Sequence, residues 1–142
     1  MENLNLNWLA IIVVAIIPLV TGFIWYSPKF FGTIWMKHSS MTEEKMKNVD
    51  PIKVYGLAIV FAFILATAMF FLGRDISNEP HHTSYFFTDG LLHGAMLAIS
   101  VVLPVFATNA LFEQKSFSYV AVNLGYWILT IALMGGVLEV WR

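Results

Sequence analysis

The side chains best suited to chemistry in this sequence are few, and most fall inside apolar runs. Asp89, His93 and Ser100 stand at offsets of 0, 4 and 11, close to one line down a helix that turns every 3.6 or so residues. Such a stripe could pass a proton or cation inward from the membrane surface, with His93 titrating near neutrality and Asp89 as its partner. The plainer use of the same residues is an aspartate that caps a helix and a histidine satisfied by a neighbouring one. Further along, Asn109 and Glu113 lie one turn apart. Asn123 on the next run would face them across an antiparallel hairpin, so the three are expected to form a hydrogen-bonded clamp between two helices. Glu139, near the end of the last run, is expected to lean outward or to pair with Arg142.

Other chemistries are poorly supplied. His81 and His82 are adjacent, with Asp75 and Glu79 nearby, but they have neither the i, i+4 spacing of a helix-borne pair nor a cysteine companion. No metal site and no cofactor are therefore assigned. The chain contains no cysteine, which excludes disulfides, thiolate ligands and a thiol nucleophile. An intramembrane enzyme needs a nucleophile, a base and a stabilising donor in mutual reach. His93 with Asp89 has no third member, so no enzymatic activity is expected. No basic stripe interleaved with exposed aromatics suggests nucleic acid.

The elements that must carry these residues follow from composition. Hydrophobic residues make up 58% of the 142 and charged residues 12%, about half the charge of an ordinary soluble domain. Four apolar runs, at approximately 8–26, 54–72, 90–112 and 119–138, leave only short polar connectors. A hydrocarbon layer about 30 Å thick needs about 20 residues of helix, and each run supplies roughly that. The expectation is an all-α, membrane-spanning four-helix bundle, a single transmembrane domain over 1–142, with a short interfacial or cytoplasmic helical segment between helices 1 and 2. The first run follows a tail without lysine or arginine and no small-residue cleavage site follows it, so it reads as a retained span rather than a signal peptide.

Between the first and second runs lie Lys29, Lys37, Lys45, Lys47 and Lys53, and between the third and fourth lies Lys115. By the positive-inside rule these connectors face the cytoplasm and both termini lie outside. In the first connector Phe30, Phe31, Ile34 and Trp35 are apolar beside Lys29 and Lys37, as in a segment lying among lipid headgroups. Ser40 stands three residues before Glu43, the spacing of a capping box. Ala58, Ala62 and Ala66, then Gly90, Gly94 and Ala98, then Ala121 and Gly125, make small-residue faces suited to close helix approach, either within the bundle or between copies. Pro18 and Pro104 each withhold a hydrogen bond inside a span and should kink it unless the loss is repaired.

The run Gly22-Phe23-Ile24-Trp25-Tyr26-Ser27-Pro28, then Phe31-Gly32 and Trp35-Met36-Lys37, resembles the opening signature of a bacterial family of small four-span membrane proteins known as domain of unknown function 1761. Asn7-Trp8 ahead of the first helix, Leu111-Phe112-Glu113, Asn123-Leu124-Gly125-Tyr126 and Gly135-Gly136 before Trp141 extend the likeness over nearly the whole chain. The resemblance implies the four-helix architecture and supplies no activity. Physically, Trp25 and Tyr26 would place amphipathic rings at headgroup level, with Pro28 ending the helix and Gly32 turning the chain into the interface near Trp35. The functional expectation is an inner-membrane structural or accessory component, in contact with membrane lipids and self-associating as a homo-oligomer. The alternative is a small oligomeric channel or transporter for ions, protons or small solutes along Asp89, His93 and Ser100.

Overall fold

Each apolar run becomes a helix, and the connectors fold into turns and two short helices. The computed structural model describes residues 7–77 and 86–141. Helix α1 spans Trp8–Trp25, α2 Gly32–His38, α3 Glu43–Lys47 and α4 Pro51–Ser77. Helix α5 spans Phe87–Leu97 and continues through one π-helical turn, Ala98–Val102, into α6 at Leu103–Phe112; α7 spans Phe117–Val140. Four stretches are long and apolar enough to cross a membrane: Trp8–Trp25, Pro51–Gly73, Phe87–Phe112 and Phe117–Val140.

Three of these start earlier than hydropathy alone suggests, and polar caps explain two of the starts. Asp50 accepts the backbone N–H groups of Ile52 and Lys53 at 3.0 and 3.3 Å. Pro51 then fills the first helical position, where its missing N–H costs nothing. Ser116 caps α7 by accepting the N–H of Tyr119 at 3.2 Å. Hydropathy sees the greasy middle of a span; the cap sets where the backbone begins to coil.

Helix α7 organises the bundle. Half of its span is buried against protein, whereas the α5–α6 span is only 11% buried and faces outward along most of its surface. Among the described residues the largest fully buried side chains are Ile11 and Val14 of α1 with Thr130, Ile131, Met134 and Leu138 of α7. Ala62 and Ala66 of α4 are buried in the same core, so the small residues of the second span admit α1. Those of α5 admit α7: a Cβ on Gly94 would meet the backbone of Ile131 and come within 2.9 Å of Ala132 Cα. Gly90, Gly94 and Ala98 are all buried. The small-residue faces from which self-association was expected are thus largely occupied inside one chain.

The two intramembrane prolines behave differently. Helix α1 runs unbroken through Pro18, and the Thr21 hydroxyl donates to the carbonyl of Ile17 at 2.8 Å. Pro104 sits just beyond the π-helical turn, in which Leu103 N–H reaches back to the carbonyl of Ala98. In an α-helix the ring of Pro104 would strike the carbonyl of Ser100. Widening that turn moves the carbonyl aside and takes up the misfit without breaking the span.

The first connector is docked at one end. His38 Nδ1 lies 2.9 Å from Ser116 Oγ, joining the end of α2 to the start of α7. Phe30 and Ile34 are exposed, whereas Phe31 and Trp35 are half-buried against Trp25 and Tyr26. The cap of α3 is Thr42, which accepts Lys45 N–H at 3.2 Å, and not Ser40. Ser40 takes a left-handed φ of 58° and turns the chain after α2, which removes it from capping geometry.

Candidate functional site

The polar groups of the spans gather at two places. The first is a ladder between α1 and α7 in the half of the bundle where α1 ends and α7 begins. Trp25 Nε1–H donates to the carbonyl of Val122 at 3.0 Å, and the Tyr26 hydroxyl donates to Asn123 Oδ1 at 2.8 Å. One turn deeper the Tyr126 hydroxyl donates to the carbonyl of Pro18 at 2.8 Å, and the hydroxyls of Thr21 and Thr130 lie 2.8 Å apart. Thr21 spends its one proton on Ile17, so Thr130 donating to Thr21 satisfies both. Around the ladder Trp25 stacks on Phe31 at 4.4 Å, and Tyr26 meets Trp35 and Tyr126 at 5.4 and 5.2 Å.

To the headgroup-level placement expected of the Trp25-Tyr26 cluster this arrangement adds an interhelical role. The rings turn inward onto α7, because a donor at that depth gains more from a fixed acceptor than from a fluctuating headgroup. Ser27 contributes its carbonyl, which accepts the N–H groups of Phe30 and Gly32 at 3.1 and 3.0 Å and closes the turn containing Pro28. Gly32 is buried at that turn because a side chain would strike the carbonyls of Tyr26 and Ser27.

The expected clamp of Asn109, Glu113 and Asn123 is not formed. Asn109 and Glu113 are exposed on α6 and its end. Asn123 is buried on α7, facing α1, with its amide donating to the Tyr119 carbonyl at 2.7 Å. The hairpin is antiparallel as expected, but the rotation of α7 is set by the glycine seam with α5 and by the aromatic ladder to α1, and both turn Asn123 away from α6.

Tyr26→Phe should therefore cost about 1–2 kcal/mol, since it leaves the buried Asn123 oxygen without its donor. Tyr26→Phe combined with Asn123→Leu should cost less than the two changes summed, because both partners are then apolar. Reversible unfolding of the parent and the three variants in lipid or detergent reads the difference; strict additivity would show that the bond carries no energy.

The second gathering place is a half-enclosed cavity of about 140 Å³ at the opposite end of the bundle, between α4, α5 and α7. His93 and Glu139 both line it, among Met69, Gly94, Leu97 and Leu138. Glu139 is only 5% exposed, so it neither leans outward nor lies free at the helix end. Its burial follows from the seam: a Cβ on Gly90 would come within 2.7 Å of Glu139 Cβ. With glycine at that position, the start of α5 closes over the glutamate stem.

Asp89 and His93 are half-buried on α5, as the polar stripe requires. Ser100 does not join them. It lies in the π-helical turn, exposed, with its hydroxyl directed to the carbonyl of Leu97 at 3.4 Å. The widened turn that accommodates Pro104 also spoils the straight register on which the stripe depended. Among the described residues no three His, Asp or Glu side chains gather as they would around a metal ion. His81 and His82 lie outside the described residues.

Sequence reasoning missed Thr21, Tyr126, Thr130 and the inward use of Glu139. A signal for the first three was present: a threonine three residues after an in-helix proline, and a tyrosine four residues before a threonine in the middle of a span rather than at its ends.

Four helices able to cross a bilayer, joined by a small-residue seam and an intramembrane polar ladder, define a polytopic membrane protein of all-α architecture. The chain belongs to the family described as proteins of unknown function, DUF1761, whose model matches residues 9–139 and so takes in all four spans. No curated protein and no solved structure matches it.

Proposed function

We propose that this protein is a non-enzymatic path or carrier for a small solute, with His93 and Glu139 as its binding groups, rather than a purely structural accessory. The observation that carries the reading is that a buried carboxylate and a histidine from two different spans line one cavity. Ionisable side chains at membrane depth are costly, and proteins keep them there mostly where they bind or move something. A cavity of about 140 Å³ suits a proton relay through waters, an inorganic cation or a small amine. The π-helical turn at Ala98–Val102 begins directly after Leu97, a cavity-lining residue. Such turns often mark places where a helix must adjust.

The two ends of the bundle differ in a way that fits alternating exposure. The His93 and Glu139 end is hollow, while the other end is closed by Trp25, Tyr26 and Asn123. With the lysine-rich connectors on the cytoplasmic side, the cavity would face outward. Because its small-residue faces are used internally, the path is proposed to lie within one copy of the chain.

Purified protein in liposomes should carry a gradient-driven flux of H⁺, K⁺, Na⁺ or methylammonium above protein-free liposomes. Glu139→Gln should lower the rate by about tenfold or more, the expected size for loss of one charge-assisted contact, and His93→Ala should do the same. No flux across this set, or undiminished flux in both variants, would overturn the proposal.

A further inference from the structure

At the end of the bundle away from the His93 and Glu139 cavity, the first connector seats α2 against the aromatic ladder and leaves its other side outward. Phe31 and Trp35 form the inner side, with ring centroids 4.4 Å from Trp25 and 5.4 Å from Tyr26. The tight turn at buried Gly32 fixes the start of α2, and the His38 to Ser116 contact at 2.9 Å fixes its end. Lys29 and Phe30 in the turn, and Thr33, Ile34 and Lys37 on α2, are exposed. At about 100° per residue the last three fall on one face of the helix. Because α2 is held at both ends, that face is presented in a fixed place at the end of a span.

Charge on this face is unbalanced. From Trp8 to Thr42 the chain carries two lysines, Lys29 and Lys37, and no aspartate or glutamate. The lysines elsewhere in the connectors have acidic neighbours in sequence: Glu43, Glu44 and Asp50 offset Lys45, Lys47 and Lys53, and Glu113 offsets Lys115. Positive charge is therefore concentrated at α2, although most connector lysines lie outside it. Beside the two lysines, the side chains of Phe30, Ile34 and Phe23 in the last turn of α1 are exposed.

We propose that this face binds an anionic phospholipid, with Lys29 and Lys37 at its headgroup and Phe30, Ile34 and Phe23 against its acyl chains. Cations beside apolar side chains suit the boundary where phosphate meets hydrocarbon. A zwitterionic headgroup carries its own ammonium and gains little net attraction from two lysines, so the face selects lipids by charge. The apolar half of the face, directly at the end of α1, matches a lipid rather than a soluble anion, which has no chains to cover it.

The test uses the full chain in phosphatidylcholine vesicles. The sequence contains no cysteine, so Thr33→Cys gives a single attachment point for a fluorescent label between the two lysines. Phosphatidylglycerol with brominated acyl chains should quench that label at lower mole fraction than equally brominated phosphatidylcholine. Lys29→Gln and Lys37→Gln should each lower this preference about fivefold, the equivalent of roughly 1 kcal/mol per lysine near an anionic surface, and together they should abolish it. Lys45→Gln with Lys47→Gln, on the charge-balanced α3, should leave the preference in place. An indifferent parent, a preference that survives loss of both Lys29 and Lys37, an equal loss in the α3 variant, or relief of quenching by soluble glycerol phosphate would each overturn the proposal. Solute flux through the His93 and Glu139 site is measured separately, so the two readings fail independently.

Discussion

Gly94→Ala should strongly destabilise the protein, and Gly94→Leu should prevent the bundle from assembling. The added carbon at position 94 meets backbone only: the carbonyl of Ile131, and Ala132 Cα and Ile131 C at 2.9 Å each. Backbone within a helix cannot rotate away as a side-chain tip can, so α5 and α7 must separate along their whole seam. Overpacking of a well-filled core costs about 1–3 kcal/mol, and the alanine variant belongs at the upper end of that range. Leucine would remove the contact outright, and with it the cover over Glu139. Gly56→Ala is the control, because a Cβ there meets nothing within 4 Å; its stability should match the parent. Unfolding of purified protein in mild detergent, followed by circular dichroism or by steric trapping, measures both. Equal stability of the two alanine variants would show that the seam is not a real close approach.

The same seam explains what was legible in the sequence and what was not. Four spans can be read from hydropathy because lipid imposes one simple rule, a continuous apolar length. The small-residue register Gly90, Gly94 and Ala98 was also visible, since it repeats every four residues. What no pattern in a single span reveals is the rotation of one helix about its axis relative to another. Asn123 faces α1 rather than α6 for this reason, and a glutamate near a helix end is expected to lean outward or to pair with a neighbour such as Arg142, which lies outside the described residues, whereas Glu139 is buried. Ser100 was lost from the polar stripe by a local event, the π-helical turn in front of Pro104, which inserts extra arc into a register computed for a regular helix. The lesson of Trp25 and Tyr26 is similar. Aromatic residues at a span end fit a headgroup belt and an interhelical clasp equally well, and only the position of α7 decides between them.

Glu139 also shows how the parts depend on one another. Its side chain shares a cavity with His93 only because Gly90 and Gly135 let α5 and α7 touch, since a side chain on either glycine would strike the backbone of the other. Any change that opens the seam should therefore hydrate the cavity as well as loosen the fold, so stability and the proposed solute path are expected to fall together for seam variants. They should separate for Glu139→Gln, which changes one functional group and leaves the packing volume almost unaltered.

Trp25→Ala is the second change with a large expected effect, and it tests the clasp at the other end of the bundle. The indole of Trp25 fills the space over Gly125, donates to the Val122 carbonyl at 3.0 Å and stacks on Phe31 at 4.4 Å. Truncating a large aromatic in a packed site costs about 3–5 kcal/mol. Trp25 is only half-buried, and in lipid the lost term is dispersion contact rather than transfer from water, so about 2–3 kcal/mol is expected. Trp25→Phe keeps most of the ring and loses the N–H, and should cost about 1 kcal/mol. A third variant shows whether the ring is seated as described. A Cβ on Gly125 would stand 2.8 Å from Trp25 Cζ2, and the three atoms nearest to it all belong to Trp25. Gly125→Ala should thus be destabilising in the parent and close to neutral when Trp25 is already alanine. That coupling has one sign only if the indole lies on Gly125: were Trp25 instead facing the headgroups, as its place in the sequence suggested, Gly125→Ala would cost the same in both backgrounds. Thermal unfolding of the four proteins of this cycle therefore decides whether the Trp-Tyr cluster works as a membrane anchor or as the clasp that sets α1 against α7.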